Sequence, residues 1–311
     1  MTDSLRMQCE LLTENQSILL KKLPLESCYV LEAASMLYAS NNSVADVQKI
    51  KQTVNIIKKK TKKLSYFQNS LKIILASILS FELEPEKMLD KIIEKYSELK
   101  KFFRGSQYLP YAAYLLAKHG DNVTAEQVKS YYVTMKREKP AFGIEKDIVF
   151  ATLYTIFGKN AKYTISDISA YRKELSPVLP KHTAKTVARI FVFGEGRGYA
   201  EKFIKLKKLL EENKIKFGKS NENTALALFT LLDIDNEKTE DMFWSFFDLF
   251  DNLSKSKNLF SQKRRVMYSA LILYNELTKS SENKALLLAK EAAFTVALTI
   301  AVNLSAAICA A

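Results

Sequence analysis

Glycine and proline are scarce in this sequence, 8 and 6 residues in a chain of 311. A β-sandwich or a doubly wound α/β fold of this length spends more of both on its turns, so the scarcity favours helices. Histidine is scarcer still. His119 and His182, read as standing in separate loops, cannot supply an HExxH pair or a His/Cys cage for a metal. His119 follows Lys118 at the end of a helical pattern, where a cation suits the helix dipole, and a capping role is expected. Cys9, Cys28 and Cys309 are far apart and form no CxxC, so they read as small apolar residues of a reducing compartment. There is no GxSxG elbow and no P-loop. The first ten residues lack the apolar core of a signal peptide, and a cytoplasmic protein is expected. These absences leave no catalytic residue, metal ligand or cofactor site to nominate.

Short apolar runs, each centred on a small residue, are plentiful. They are Cys28–Ser40, Leu71–Phe81, Leu109–Lys118, Ile148–Phe157, Thr186–Phe193, Thr224–Ile234, Val266–Tyr274 and Ala292–Val302. Their central alanines, Ala33, Ala76, Ala113, Ala151, Ala188, Ala227, Ala270 and Ala297, follow one another at 43, 37, 38, 37, 39, 43 and 27 residues. A period near forty is a repeat signature. Between the runs lie amphipathic segments: Val47, Ile50, Val54, Ile57, Thr61 and Leu64 alternate steps of three and four, as do Leu89, Ile92, Tyr96, Leu99 and Phe103. Thr124 with Gln127 reads as a capping box, Thr164 with Asp167 resembles one, and Pro85 suits a first helical turn. Gly105, Gly120, Gly143, Gly158 and Gly218 fall where helices end. The expectation is one all-α repeat domain over residues 1–311, a solenoid-like or curved array of about seven stacked helical hairpins. An apolar inner helix and an amphipathic outer one would make each hairpin.

The formal charge is +13, carried by 39 Lys and only 8 Arg. Phosphate-gripping surfaces favour the bidentate Arg fork, so the excess of Lys argues for solvated helix surfaces. The densest run lies in 47–81, which has eight lysines and no Asp or Glu. Lys58, Lys59, Lys62 and Lys63 are its candidate contacts for phosphates or an acidic protein. No Arg or interleaved aromatic supports base stacking there, which makes any nucleic-acid binding non-specific. The stretch Gly194-Glu-Gly-Arg-Gly198 follows Phe191-Val-Phe193 and superficially suggests a phosphate loop. Tyr199 stands where that motif needs a glycine and no βαβ alternation surrounds it, so a link between helices is expected, with Glu195 and Arg197 as an exposed contact point.

Residues 237–253 form an acidic, aromatic segment. Phe243, Phe246, Phe247, Phe250 and Leu253 make its core stripe, and at 100° per residue Trp244 points away from them. It lies among Glu237, Glu240, Asp248 and Asp251. Such a face either anchors a cationic peptide or amine, or packs Trp244 on a neighbouring repeat. Residues 292–311 carry no charge over a length that could span a bilayer. Their alanine content, the lack of Trp or Tyr at either end, and the polar stripe of Thr295, Thr299 and Asn303 favour a helix closing the stack. A tail anchor is the alternative, and a membrane is otherwise not an expected partner.

Arg6 to Asn15, Tyr108-Leu-Pro-Tyr-Ala-Ala-Tyr114, and Lys216-Phe-Gly-Lys219 leading into Thr224-Ala-Leu-Ala-Leu, with the Ala-rich end, resemble the bacterial domain-of-unknown-function family numbered 4003. The resemblance extends along the whole chain and implies a bacterial cytoplasmic protein, with no functional residue to carry over. The reading that follows is a non-enzymatic helical repeat protein that binds another protein or peptide. Two rivals remain open: a nucleic-acid-binding helical repeat, and an enzyme whose acidic pocket is dispersed in the sequence.

Overall fold

A computed structural model describes residues 2–291, apart from 64, 70, 139–146, 195–197, 216–220, 233–235, 256–258, 280–281, 284–285 and 290. The described residues are all-α and include no strand: fourteen α-helices with the bounds below, two short 3-10 segments, and further helical residues at 286–289 and 291. The helices are α1 (Asp3–Lys22), α2 (Cys28–Ser40), α3 (Val47–Lys60), α4 (Lys72–Leu79), α5 (Pro85–Lys100), α6 (Leu109–His119) and α7 (Ala125–Glu138). They continue as α8 (Asp147–Phe157), α9 (Ala161–Leu175), α10 (Lys181–Phe191), α11 (Tyr199–Glu212), α12 (Asn221–Ala227), α13 (Asn236–Lys255) and α14 (Gln262–Thr278).

The expected division of labour is visible in burial. In α4 every residue from Ile73 to Leu79 is buried, as is every residue of α6 from Leu109 to Leu116 and of α14 from Val266 to Asn275. The alternating helices bury one stripe only: Ile50, Thr53, Val54 and Ile57 in α3, and Leu89, Ile92, Tyr96 and Leu99 in α5. Each large aliphatic side chain so buried contributes about 1.5–3 kcal/mol. The central alanines from Ala33 to Ala270 are all buried. A larger residue there would have to displace a packed neighbour.

Helix ends follow local chemistry. The Gln127 amide donates to Thr124 Oγ1 at 3.2 Å and the Thr124 amide donates to Gln127 Oε1 at 2.8 Å, a reciprocal capping box. The expected start at Thr164 is displaced. Asn160 Oδ1 already takes the amides of Lys162 and Tyr163, so α9 begins at Ala161, and Thr164 Oγ1 instead accepts the Tyr131 hydroxyl at 2.6 Å. Pro85 opens α5 as expected. Gly158 has φ +75°, whereas Gly120 caps α6 at φ −111°, outside the left-handed region. The run from Thr224 is helical only to Ala227. It then tightens into a 3-10 turn over Leu228–Leu231, where the Thr230 hydroxyl donates to the Ala227 carbonyl at 2.6 Å.

The described residues form two compact units. One comprises Ser17–Tyr38 and Ala45–Ile165. Within it α3 packs on α4, α5 on α6 and α7 on α8, while α6 also packs on α8 and α5 on α7. Tyr38 donates to Ser80 Oγ at 2.7 Å, and the Ser80 hydroxyl donates to the Ser77 carbonyl at 2.7 Å. The other unit comprises 2–16, Ala39–Val44 and the described residues from Ser166 onward. Here α10 packs on α12, α12 on α14 and α13 on α14. Helices α1 and α14 meet there: Gln8 in α1 is fully buried, and its Nε2 donates to Glu276 Oε2 of α14 at 2.8 Å.

Two of the three glycines in the stretch 194–198 have structural reasons. A Cβ at Gly194 would lie 2.2 Å from the Tyr199 hydroxyl, because the Tyr199 ring crosses that backbone. Gly198 has φ +78° at the start of α11. The stretch joins α10 to α11, so it follows a helix where a phosphate loop would follow a strand. Glu195 and Arg197, like Gly143, Gly218, the 216–219 stretch, Ala297 and the whole of 292–311, lie outside the described residues.

Candidate functional site

Helix α13 is amphipathic, and its buried line runs Met242, Phe246, Leu249 and Leu253, spaced four, three and four. The core stripe is therefore rotated from the expected one. Phe247 and Phe250 lie half-buried at its edge, with the Arg265 guanidinium 5.1 Å over the Phe250 ring. The side chain of Phe243 is outside the described residues. Trp244 lies two residues before Phe246, about 200° round the helix, and is 64% exposed. Its ring sits 6.3 Å from that of Phe247 at 55°, which braces one edge of the indole. Phe247 in turn meets Phe246 edge-on at 6.1 Å, so the brace rests on the core.

Positions one and two turns on from Trp244 carry Asp248 and Asp251, both exposed. At 100° per residue they lie within about 40° of the tryptophan, so the three share one face. Glu240 occupies the preceding turn of the same face by register; its side chain and that of Glu237 are outside the described residues. An exposed indole flanked by carboxylates suits a cation chemically. The ring quadrupole attracts an ammonium or guanidinium, and the carboxylates raise the local concentration of positive groups.

The basic run lies in the other unit. Lys58, Lys59, Lys62 and Lys63 are all exposed, and none makes an ion pair among the described residues. Two neighbours are paired: Lys60 with Asp90 at 2.7 Å and Lys72 with Glu26 at 3.3 Å. The turn that follows α3 is held from a distance. Gln68 Nε2 donates to the Thr61 carbonyl at 2.9 Å and to Thr61 Oγ1 at 3.0 Å, while the Thr61 hydroxyl donates to the Ile57 carbonyl at 2.7 Å. These bonds satisfy the Ile57 and Thr61 carbonyls without using a lysine side chain.

Both histidines lie in helices rather than loops: His119 is the last residue of α6 and His182 the second of α10. Among the described residues no group of His, Cys, Asp and Glu could hold a metal, and no helix is long and apolar enough to cross a membrane. Four charged side chains escaped the sequence reading by being buried: Glu32, Asp147, Arg189 and Glu222. None of the four is without a partner. The signal for Arg189 was present, since it interrupts the apolar run Thr186–Phe193. A small apolar cavity of about 20 Å³ lies among Phe67, Leu71, Ile74, Ile78, Pro110 and Tyr111, with room for one water and little polar surface to hold it.

These features define an all-α protein with paired helices, a braced tryptophan on an acidic helix face and a separate basic turn. The family model described as Protein of unknown function (DUF4003) matches residues 18–177, just over half of the chain, and the chain belongs to that family. The matched range includes Tyr108–Tyr114 and the lysines at 58–63, and ends before α13. No curated protein and no solved structure matches the chain.

Proposed function

We propose that this chain is a non-enzymatic α-helical repeat protein, its hairpins arranged as a curved or solenoid-like array, that binds a cationic segment of another protein or peptide on the outer face of α13. The observation that carries the reading is the 64% exposure of Trp244 on a helix face that also bears exposed Asp248 and Asp251. A large aromatic left in water and braced from one side loses little entropy on binding, which is why tryptophan so often anchors an interface. Lysine or arginine side chains would lie over the indole, with their charges shared between the two carboxylates.

Trp244 is the single tryptophan, so its fluorescence reports the site directly. Titration with an oligolysine peptide at low salt should shift that emission saturably. Asp248→Asn with Asp251→Asn should weaken the midpoint by about tenfold, at roughly 0.5–1 kcal/mol per exposed charge pair. An emission that does not respond, or a response untouched by the double substitution, would remove the basis for the reading.

A further inference from the structure

We infer that the turn at the end of α3 is a docking surface for an anionic lipid bilayer, with Lys58, Lys59, Lys62 and Lys63 as its contacts. This surface is distinct from α13 and does not depend on what α13 binds. Four lysines fall within six residues, all exposed and none drawn into an ion pair among the described residues. Asp90 neutralises Lys60 alone at 2.7 Å. The turn is also built rather than frayed. Gln68 reaches back to Thr61, and the Ser65 amide donates to the Lys62 carbonyl at 2.9 Å, so the backbone beneath the lysines is fixed.

The chemistry separates a bilayer from other polyanions. Residues 47–81 contain no arginine, so the bidentate fork that grips an individual phosphate is absent. Phe67, close by in sequence, is buried; Tyr66 is exposed but stands singly, its ring edge close to Gly105, where stacking along a strand of unpaired bases uses successive aromatics. A charged lipid surface requires neither device. It attracts hydrated ammonium groups collectively, each lysine near the surface adding about fivefold to the binding constant, and clusters of about four to eight are sufficient. The net charge of +13 adds to the same attraction at long range.

The test uses the full chain and phosphatidylcholine vesicles with or without about a third phosphatidylserine, in a sedimentation assay. Binding is expected to the anionic vesicles only, and to fall steeply as salt shortens the screening length. Replacing Lys58, Lys59, Lys62 and Lys63 by Gln should weaken it by about a hundredfold or more. A second variant, Lys173→Gln with Lys202→Gln, Lys205→Gln and Lys208→Gln, removes the same charge from exposed positions elsewhere and should change binding only a few-fold. Circular dichroism checks that both variants keep their helices. Equal losses in the two variants would mean that net charge acts without a site. Binding to neutral vesicles that survives the first variant, or tighter and patch-dependent binding of a single-stranded oligonucleotide, would also overturn the inference.

Discussion

Gln8 Nε2 donates to Glu276 Oε2 at 2.8 Å, joining two residues 268 positions apart in the sequence. Asn275 extends the contact, its Nδ2 donating to Gln8 Oε1 at 3.4 Å and to the Ser40 carbonyl at 3.1 Å. Three helices, α1, α2 and α14, thereby share one buried polar chain. Each of these bonds joins residues more than 230 positions apart in the sequence, and all of them lie within one of the two compact units.

Gln8→Ala should accordingly destabilise by more than the loss of one surface bond. It removes the partner of a carboxylate and of a buried amide together, which costs about 1–3 kcal/mol. The urea midpoint should fall accordingly. Glu276→Gln keeps an acceptor opposite Gln8 and should cost less. A Gln8→Ala protein as stable as the parent would show that the chain of bonds contributes nothing net.

Helix patterns are legible in a sequence because they are local. Some helices are apolar at almost every position and others carry one stripe recurring at three and four, so Ile50, Val54, Ile57, Leu89, Ile92 and Leu99 could be assigned to the core without a structure. That Trp244 points away from the core stripe follows from the same arithmetic, but its exposure does not, since a neighbouring helix could have covered it; the buried line of α13 runs through Met242 and Leu249. The Gln8–Asn275–Glu276 chain has no local pattern: its members are ordinary polar residues until the fold brings them together. Asn160 displaced Thr164 as the start of α9 for a related reason, since a run of Asn, Thr and Ser offers several caps and only the backbone decides among them.

A pH prediction rests on Cys9. Burial, with a smaller contribution from Glu10, pushes its thiol up to about 11. The folded chain then keeps a proton that the unfolded chain has already released above about pH 9, so stability falls as pH rises from about 9 to 11. Cys9→Ala should flatten that part of the profile in urea melts, and an unchanged slope would contradict it. At about pH 8 the Cys9 thiolate is scarce, so alkylation followed by peptide mapping should find Cys28, which is only half-buried, modified ahead of Cys9.

Gly194 and Gly198 should tolerate alanine unequally. At Gly198 a Cβ meets nothing within 4 Å, so the cost is the left-handed backbone alone, about 1–2 kcal/mol. At Gly194 it meets the Tyr199 ring, which packs 5.9 Å from Phe191 and would have to leave a buried position. Gly194→Ala should therefore be the more damaging change. Its cost should shrink in a Tyr199→Ala background, a non-additivity that the Gly198 substitution should not show. Equal costs in both backgrounds would place the constraint elsewhere.

The last prediction separates the exposure of Trp244 from its charge environment. An indole 64% exposed should emit at the long wavelengths of a hydrated ring, without the blue shift of a core tryptophan. Iodide should quench it measurably, but Asp248 and Asp251 stand on the same face and repel an anion. Caesium, a cation of comparable simplicity, is drawn to that face and should quench more efficiently relative to its effect on free tryptophan. The difference should narrow with added salt, because the carboxylates act through a field that salt screens over about 8–10 Å. Asp248→Asn with Asp251→Asn should abolish most of the preference while leaving the emission wavelength unchanged. An emission that is blue-shifted and indifferent to both quenchers would mean that Trp244 is packed against protein, and the proposed cation-binding face of α13 would be lost with it.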